Sequence, residues 1–430
     1  MRRGIAALAP LLLALSLAGC RLGFGTPSAG EPPTRAQPVK ISMWNLLTND
    51  RRQDAIQESI DRFNGTHRDI RIVPYYYENE AYKQKMRAAI LSNHMPDIFY
   101  YWFGESFKRT MVDSGVAADL TPMIGRHPDF RGRILPEALD AVTYNGRVYG
   151  IPHSIQHVLI WYSKPVFARF GLKPPQTWDE LTSAVDKLRA GGIAPVAAAG
   201  KERWQLLHWY AYLAHRLGGA EPFMQAVDGT GGFRHPSFVE AAERFRVFAA
   251  RGAFMPGYLG MDQPQAENAF LSGQAAMFLQ GDWAAARMLE DGRMKDRIGY
   301  FRFPTVDGKG KATEYQGGYS VGWAVSKTAD PEAAFAVLDF LMSPEERARY
   351  VAVSGTPTTV VSADVSAQRL APAVRDYIDF IGKDATGYFG FYDQDIDYRR
   401  AQLLLDMSVA LAQDPDMTRG EIEAMLGDIK

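Results

Sequence analysis

Three places in the chain put an aromatic side chain beside a polar one just after a predicted strand. They are Trp44 with Asn45, Trp102 with Glu105, and Trp283 with Asp282. An aromatic face offers a large contact area with few rotatable bonds, and carboxylates and amides can each serve neighbouring hydroxyl groups. A sugar presents flat C–H faces rimmed by hydroxyls. The combination therefore predicts a site for a neutral polyol.

These positions depend on an alternation of strands and helices in the first hundred residues. Strands are predicted over 40–44, 70–75 and 97–101. Apolar residues at helical spacing predict a helix in each gap between them: Ile56, Ile60 and Phe63 in the first, and Tyr82, Met86, Ala89 and Ile90 in the second. Asn49 or Asp50 is expected to cap the first helix. This β-α-β-α-β order indicates a mostly parallel sheet covered by helices.

The alternation continues through the rest of the chain. Strands are predicted over 158–162 and 275–279, and helices after Pro331 and after two capping boxes, 177–180 and 343–346. A chain of 430 residues exceeds what one hydrophobic core normally supports, so at least two lobes are expected. The predicted fold class is α/β with two lobes. Each lobe is expected to have its own mostly parallel sheet flanked by helices.

The N-terminus has the pattern of an export signal. Arg2 and Arg3 precede an apolar run from Ile5 to Leu17, which is too short to span a bilayer as a helix. The sequence LAGC at 17–20 resembles the lipobox of bacterial lipoproteins, in which the cysteine becomes the lipidated first residue. Residues 1–19 are thus predicted to be a lipoprotein signal peptide, and residues 20–38 the lipidated Cys20 followed by a Gly/Pro/Ser-rich linker.

This leader implies a protein that is exported and held by lipid to the outer face of the cell membrane or in the periplasm. Cys20 is the only cysteine, so no disulfide can form within the chain. The charge is nearly balanced, with 48 Lys and Arg against 49 Asp and Glu, which argues against a nucleic-acid partner.

The sequence gives little support to a metal site or to catalysis. His153 and His157 stand four apart but follow Pro152 in an extended stretch, without a metalloprotease pattern. The spacing of Asp393, Asp395 and Asp397 fails the EF-hand pattern, which needs a glycine next and a later glutamate. Neither a cofactor nor a metal is therefore predicted. A secreted glycoside hydrolase using Glu105 and Asp282 as its two carboxylates is kept as a much weaker alternative.

Five segments, in order along the chain, carry a family resemblance. They are 94–98 with 118–122, 144–152 leading into 160–164, 175–181, 269–277 running to 281–283, and 317–320 with 331–334. Together they resemble the carbohydrate-binding solute-binding proteins of ABC importers, the group that includes maltose-binding protein. The resemblance implies a periplasmic-binding-protein-like fold whose two lobes close on a ligand like a hinged clamp. It also implies a binding protein that is not an enzyme.

Such a fold makes each lobe discontinuous in sequence. Lobe 1 is predicted to comprise 39–154 and 305–355, and lobe 2 to comprise 155–304 and 356–430. The resemblance adds candidate ligand contacts on the segments that cross between the lobes and near the C-terminus: Tyr77, Gln156, His157, Gly318, Tyr319 and Tyr392. Gln156 stands where the maltose-binding relative has a ligand-contacting carboxylate, which leaves the individual hydroxyl contacts open. Trp204 is a further candidate for the lobe 2 wall.

The resemblance implies a monomer that binds a sugar, delivers it to ABC permease subunits, and meets the membrane only through its lipid. An alternative keeps the fold but changes the cargo to a polyamine or a phosphate ester. A cationic cargo would require converging carboxylates, and an anionic one would require arginines or helix N-termini.

Overall fold

The computed structural model describes residues 37–48, 51–294, 296–368 and 370–430. The first lobe begins with β1 (Val39–Leu46), α1 (Arg51–Thr66), β2 (Ile70–Tyr77), α2 (Asn79–Ser92) and β3 (Ile98–Trp102). It continues with α3 (Glu105–Phe107), a π-helical turn over Lys108–Val112, α4 (Thr121–Arg126), α5 (Pro128–Gly132), α6 (Pro136–Asp140) and the hairpin β4 (Thr143–Tyr144) and β5 (Arg147–Val148). The predicted β-α-β-α-β order is confirmed. The predicted cap of α1, Asn49 or Asp50, lies outside the described residues.

A long strand, β6 (Ile151–Ser163), leads into the second lobe. The helices there are α7 (Lys164–Arg169), α8 (Trp178–Ala190), α9 (Trp204–Gly218), α10 (Glu221–Asp228), α11 (Pro236–Ala250), α12 (Gln263–Leu271) and α13 (Ala285–Glu290). The strands are β7 (Ala194–Ala197), β8 (Ala275–Gly281) and β9 (Ile298–Phe301). A second long strand, β10 (Glu314–Val325), returns to lobe 1 and to α14 (Pro331–Leu341) and α15 (Pro344–Ser354). The chain ends in lobe 2 with α16 (Pro372–Asp384), β11 (Gly387–Phe389), α17 (Tyr398–Gln413) and α18 (Arg419–Asp428).

The two-lobe α/β fold is confirmed, but the sheet differs from the expectation of one mostly parallel sheet per lobe. Hydrogen bonds run continuously through the order β2-β1-β3-β10-β6-β8-β7, with β11 paired to β10 and β9 to β6. β1 is parallel to β2 and β3, and β7 is parallel to β8. β6 and β10 pair with each other in antiparallel orientation. β6 also pairs antiparallel with β8, and β10 pairs antiparallel with β3. The reason is topological, because the two strands carry the chain across the molecule in opposite directions and each pairs within both lobes.

Core membership shows where each crossing strand changes lobe. Ile151 and Trp323 lie in the core that includes Ile41 of β1, whereas Val158 lies in the lobe 2 core. Tyr315, early in β10, belongs to a second cluster of lobe 2. The change of lobe therefore falls within β6 and within β10. The lobe boundaries given from the sequence remain predictions.

Both predicted capping positions start helices, by different means. At α8 the Thr177 side chain accepts from the Glu180 amide and the Glu180 side chain returns to the cap, so the full box forms. At α15 the Ser343 side chain accepts from the Glu346 amide. The Glu346 carboxylate instead accepts hydrogen bonds from Ser59 and Arg62 of α1. The Glu346 side chain therefore joins α15 to α1 and does not complete the capping box.

Candidate ligand-binding cleft

A cavity of about 540 Å³ lies where the two lobes face each other. Lobe 1 contributes the end of β1, the start of α2 and the end of β3 to its walls. Lobe 2 contributes the approach to α9, the start of α12, the segment after β8 and the loop after β11. A volume of this size falls in the range of small-molecule sites, which favour the space between domains.

Four rings from three separate segments form the lobe 2 wall. The Trp204 and Trp283 ring centroids are 6.1 Å apart, and the Phe391 centroid is 6.2 Å from Trp283. The His208 ring lies 5.2 Å from Trp204, one turn further along α9. Trp283 can pack this closely because residue 281 is a glycine, and a Cβ there would overlap the indole. These rings give lobe 2 a broad apolar face with few rotatable bonds.

Trp102 and Tyr100 form the facing wall on lobe 1. They lie on the same side of β3, and their rings meet edge-on at 5.2 Å. Buried Tyr82 of α2 supports both rings from below and donates its hydroxyl to the Tyr100 carbonyl. Lys83 places its ammonium 5.5 Å from the centre of the Trp102 ring. Each lobe therefore presents aromatic side chains to the cleft.

Gln156 reaches the cleft from the crossing point, by which we mean the part of the paired strands β6 and β10 that lies between the two lobes. Its backbone pairs with Gly318 of β10, and the pairing register shifts just beyond this point. Gly317 has a φ of 129°, and a Cβ there would overlap the Gln156 carbonyl oxygen. Gly318, with a φ of 76°, leaves room for the Tyr388 ring. Glycine is required at this crossing because only glycine adopts these angles readily and lets the strands approach so closely.

The charged side chains around the cleft balance one another. Five basic residues and five acidic residues line it, so neither sign dominates. Lys83 is 3.0 Å from Glu80 and 3.4 Å from Asp393 across the cleft. Lys201 pairs with Asp262, and Arg287 pairs with the buried Glu267. A cleft of this kind offers little net field to a charged solute.

Three polar atoms at the cleft are buried and have no hydrogen-bond partner among the described residues. They are Asn79 Oδ1, Glu202 Oε2 and His208 Nε2. Burial lowers the pKa of His208 to about 4, so its imidazole is neutral at pH 7. Burial also raises the pKa of Glu202. Because an unpaired buried polar atom is costly, these atoms are places where ligand hydroxyls could bind.

Of the side chains predicted from the sequence, Trp102, Gln156, Trp283 and the further candidate Trp204 line the cleft. Trp44 and Tyr77 pack edge-on at 5.3 Å beside the lobe 1 wall. Glu105 pairs with Lys108 and Arg109 and is not part of the lining. The Tyr319 ring packs on Tyr388 near the crossing point.

Four predicted contacts are placed in the interior instead. Asn45 is buried and accepts a hydrogen bond from the Trp323 indole at 3.0 Å. Asp282 is fully buried, and its Oδ2 lies 2.8 Å from Nδ1 of the buried His157. The Tyr392 ring stacks on Phe223 of α10 at 3.7 Å. In three of these cases an adjacent side chain lines the cleft: Gln156 beside His157, Trp283 beside Asp282, and Phe391, which was not a candidate, beside Tyr392.

The local backbone explains those displacements. On the extended strand β6, the neighbours Gln156 and His157 point to opposite sides. Asp282 and Trp283 lie in a 3₁₀ turn that follows β8, and Phe391 and Tyr392 lie in the loop after β11, so these turns set the directions of their side chains. Trp283 and Phe391 reach the cleft, while Asp282 and Tyr392 turn to the interior. Phe391 lies within the aromatic segment 387–392, but no local pattern shows which of its rings faces the cleft.

Other lining residues were missed. Tyr100 belongs to the aromatic run at 99–103, which also contains Trp102, so the sequence contained a signal for it. Lys201, Glu202 and His208 belong to the start of α9 and the loop before it, where no element was predicted. No group of three or more His, Cys, Asp or Glu suited to a metal ion occurs in the described part of the chain.

The family of bacterial extracellular solute-binding proteins matches residues 49–348, well over half of the chain. The chain belongs to that family. As a solute-binding protein of ABC transporters, it is an exported binding component, and its relatives are binding proteins rather than enzymes. No helix in the described residues is both long enough and apolar enough to cross a membrane.

Individual relatives agree with this assignment. An uncharacterized ABC transporter extracellular-binding protein from Pyrococcus horikoshii is 22% identical over 354 residues, covering 80% of this chain and 77% of the relative. A multiple sugar-binding protein from Streptococcus mutans is 25% identical, covering 50% of this solute-binding protein and 52% of the relative. A solved protein from work on xylan utilization by the thermophilic bacterium Caldanaerobius polysaccharolyticus is 28% identical, with a TM-score of 0.84 over 91% of this chain and all of that one.

Proposed function

We propose that this solute-binding protein captures a neutral sugar or oligosaccharide between its lobes and delivers it to the permease subunits of an ABC importer. The observation that carries the proposal is the pair of aromatic walls, Trp204 and Trp283 on lobe 2 and Trp102 on lobe 1. A sugar ring bound between them would place its C–H faces on indoles. Its hydroxyls would reach Gln156 and the unpartnered polar atoms of Asn79, Glu202 and His208.

The charges favour a neutral cargo over a polyamine or a phosphate ester. An anionic ligand would need cations free to bind it, but Lys83, Lys201 and Arg287 each face a carboxylate. A polyamine would need several converging free carboxylates, and Glu80, Asp262 and Asp393 are paired with lysines. The names of the Streptococcus mutans relative and of the xylan-related structure point the same way.

Binding without catalysis is part of the proposal. The pair considered for a glycoside hydrolase was Glu105 with Asp282. Glu105 lies outside the cleft lining and forms ion pairs with Lys108 and Arg109. Asp282 is fully buried against His157. The two carboxylates therefore do not flank a common substrate position, as glycoside hydrolysis requires.

Calorimetric titration of the protein with neutral mono- and oligosaccharides tests the cargo. We expect binding to one class with a Kd in the micromolar range or tighter, and recovery of the sugar unchanged. Spermidine and glycerol phosphate serve as charged comparisons. Binding of either in preference to every sugar would overturn the neutral cargo, and recovery of sugar fragments would overturn the absence of catalysis.

The proposal includes a lipid anchor at Cys20, which lies outside the described residues. Support comes from the LAGC sequence after a short apolar run. Replacing Cys20 by serine should move the protein from the membrane fraction to the soluble fraction of a bacterial host. Mass spectrometry of the unchanged protein should show diacylglycerol on the Cys20 sulfur, and a bare thiol there would contradict the anchor.

A further inference from the structure

The two lobes touch directly along one side of the cleft, where the loop 390–397 of lobe 2 faces α2 and α3 of lobe 1. We call this segment the closing loop. Asp393 of the loop is 3.4 Å from Lys83, and the Arg87 guanidinium lies 3.7 Å from the centre of the Tyr398 ring just after the loop. Nearby, Arg109 donates to the Val227 carbonyl at 2.8 Å. The two lobes are therefore in contact, and the closing loop lies at that contact.

Asp395, which is half-buried, makes the close contact between the closing loop and lobe 1. Its carboxylate lies against the backbone of Gly104 in lobe 1 and of Gly390 in its own loop, so a Cβ at either glycine would overlap it. Gly104 belongs to the other lobe, and any opening of the cleft at this side would separate the pair. The surroundings of Asp395 therefore differ between an open and a closed molecule.

We propose that Asp395, which does not line the cleft, is a positioning residue whose protonation state sets how readily the two lobes close. The proposal rests on the proposed function in one respect: closure of the lobes is the step that would trap the sugar. The contact itself involves protein atoms alone.

Two carboxylates oppose a negative charge on Asp395: Asp393 of its own loop and Glu105 of lobe 1. The hydroxyls of Tyr392 and Tyr144 also lie within reach of its charge, and burial first and then that charge raise their pKa values. Four basic side chains nearby are paired with other carboxylates: Lys83 with Glu80 and Asp393, Lys108 and Arg109 with Glu105, and Arg400 with Asp397. The Arg87 guanidinium lies over the Tyr398 ring. Burial first, and then Asp393 and Glu105, raise the pKa of Asp395 to about 8.

The sign of the pH effect follows from linkage. In an open molecule Asp395 faces water and its pKa returns toward the ordinary value of about 3.9. The closed form therefore binds the proton more tightly, and closing takes up a proton at any pH between these two values. The stabilisation of the closed form is fully present below the open-state pKa and is lost as the pH rises through about 8.

Spin labels can measure closure without any ligand. We would label Leu91→Cys on α2 and Met224→Cys on α10, both exposed, in the full chain carrying Cys20→Ser. The population with the short label distance is the closed form, and the population with the long distance is the open form. As the pH falls from 9 to 5, the ratio of closed to open molecules should rise by up to about tenfold per pH unit below pH 8. Asp395→Asn should abolish this slope and stay as closed at pH 9 as the parent is at pH 5.

Asp397→Asn is the matched control, because it lies in the same loop but caps α17, a role that asparagine can also fill. It should keep the parent slope. A slope unchanged in Asp395→Asn, or absent in the parent, would overturn the proposal. Since no sugar is present, neither result depends on the cargo.

A second variant acts from the other lobe. Gly104 is extended, so Gly104→Ala is tolerated by the backbone, but its Cβ would strike the Asp395 carboxylate. It should leave the molecule open even at pH 5, and adding Asp395→Ala should restore closure by making room. If Gly104→Ala closed as the parent does, the contact between Gly104 and Asp395 would not control closure.

Discussion

Replacing Trp283 by alanine is expected to weaken the binding of the best neutral sugar by about 30-fold or more. The indole is central in the lobe 2 wall, between Trp204 and Phe391, and it lines the cleft. Aromatic anchors in such positions typically contribute about 2 kcal/mol or more to binding, which corresponds to this change in Kd. Calorimetric titration of parent and variant with the same sugar measures the effect.

Tyr75→Ala is the control for that experiment. Tyr75 is an aromatic residue exposed on β2 and is not part of the cleft lining, so its removal should leave Kd unchanged. Thermal melting should show both variants folded. An affinity for Trp283→Ala within about twofold of the parent would mean that the aromatic wall does not hold the sugar.

Replacing Asp282 by alanine should instead act on stability, lowering the free energy of unfolding by about 3 kcal/mol. Its Oδ2 is 2.8 Å from His157 Nδ1 on β6 and accepts the Tyr377 hydroxyl of α16 at 3.1 Å. The variant would leave two buried polar side chains without their shared partner. Complete burial raises the pKa of Asp282, and hydrogen bonds from His157 and Tyr377 oppose that rise. Urea unfolding followed by tryptophan fluorescence measures the loss.

Asp376→Ala provides the comparison, because Asp376 is exposed on α16 next to Tyr377. Its free energy of unfolding should lie within about 0.5 kcal/mol of that of the parent. The sequence predicted instead that Asp282 contacts the ligand. If stability stayed unchanged while sugar affinity fell, Asp282 would be a ligand contact after all.

Trp283 and Asp282 together show how binding and positioning are divided at the end of β8. The two side chains leave a 3₁₀ turn after β8 in different directions, so one presents its ring to the cleft and the other ties β6 to α16. The same division separates Gln156 from His157 at the strand crossing. The two buried partners thus fix the backbone that carries the two cleft residues.

Elements that have local causes could be predicted from the amino-acid sequence. The apolar spacing of Ile56, Ile60 and Phe63 matches the buried face of α1, and the Thr177 box opens α8 as expected. The order of strands and helices indicated the α/β class, and the chain length of 430 residues indicated two lobes. The family motifs, five in order, were enough to indicate a solute-binding protein.

Which neighbour of each pair reaches the cleft depends on long-range packing. Trp283 and Asp282 are equally plausible in sequence, because their directions depend on how the 3₁₀ turn after β8 packs against the rest of lobe 2. The pairing of β6 with β10 was beyond the sequence for a related reason. It joins residues about 160 positions apart, such as Gln156 and Gly318, and no local pattern records their contact.

The meeting of Asp395 with Gly104 is the extreme case. In sequence Asp395 was one of three alternate aspartates whose spacing fails the EF-hand pattern. Its contact with Gly104 arises because the fold brings the C-terminal segment of one lobe against the first segment of the other. Local chemistry therefore determined the elements of this protein, and long-range packing determined which of their side chains meet.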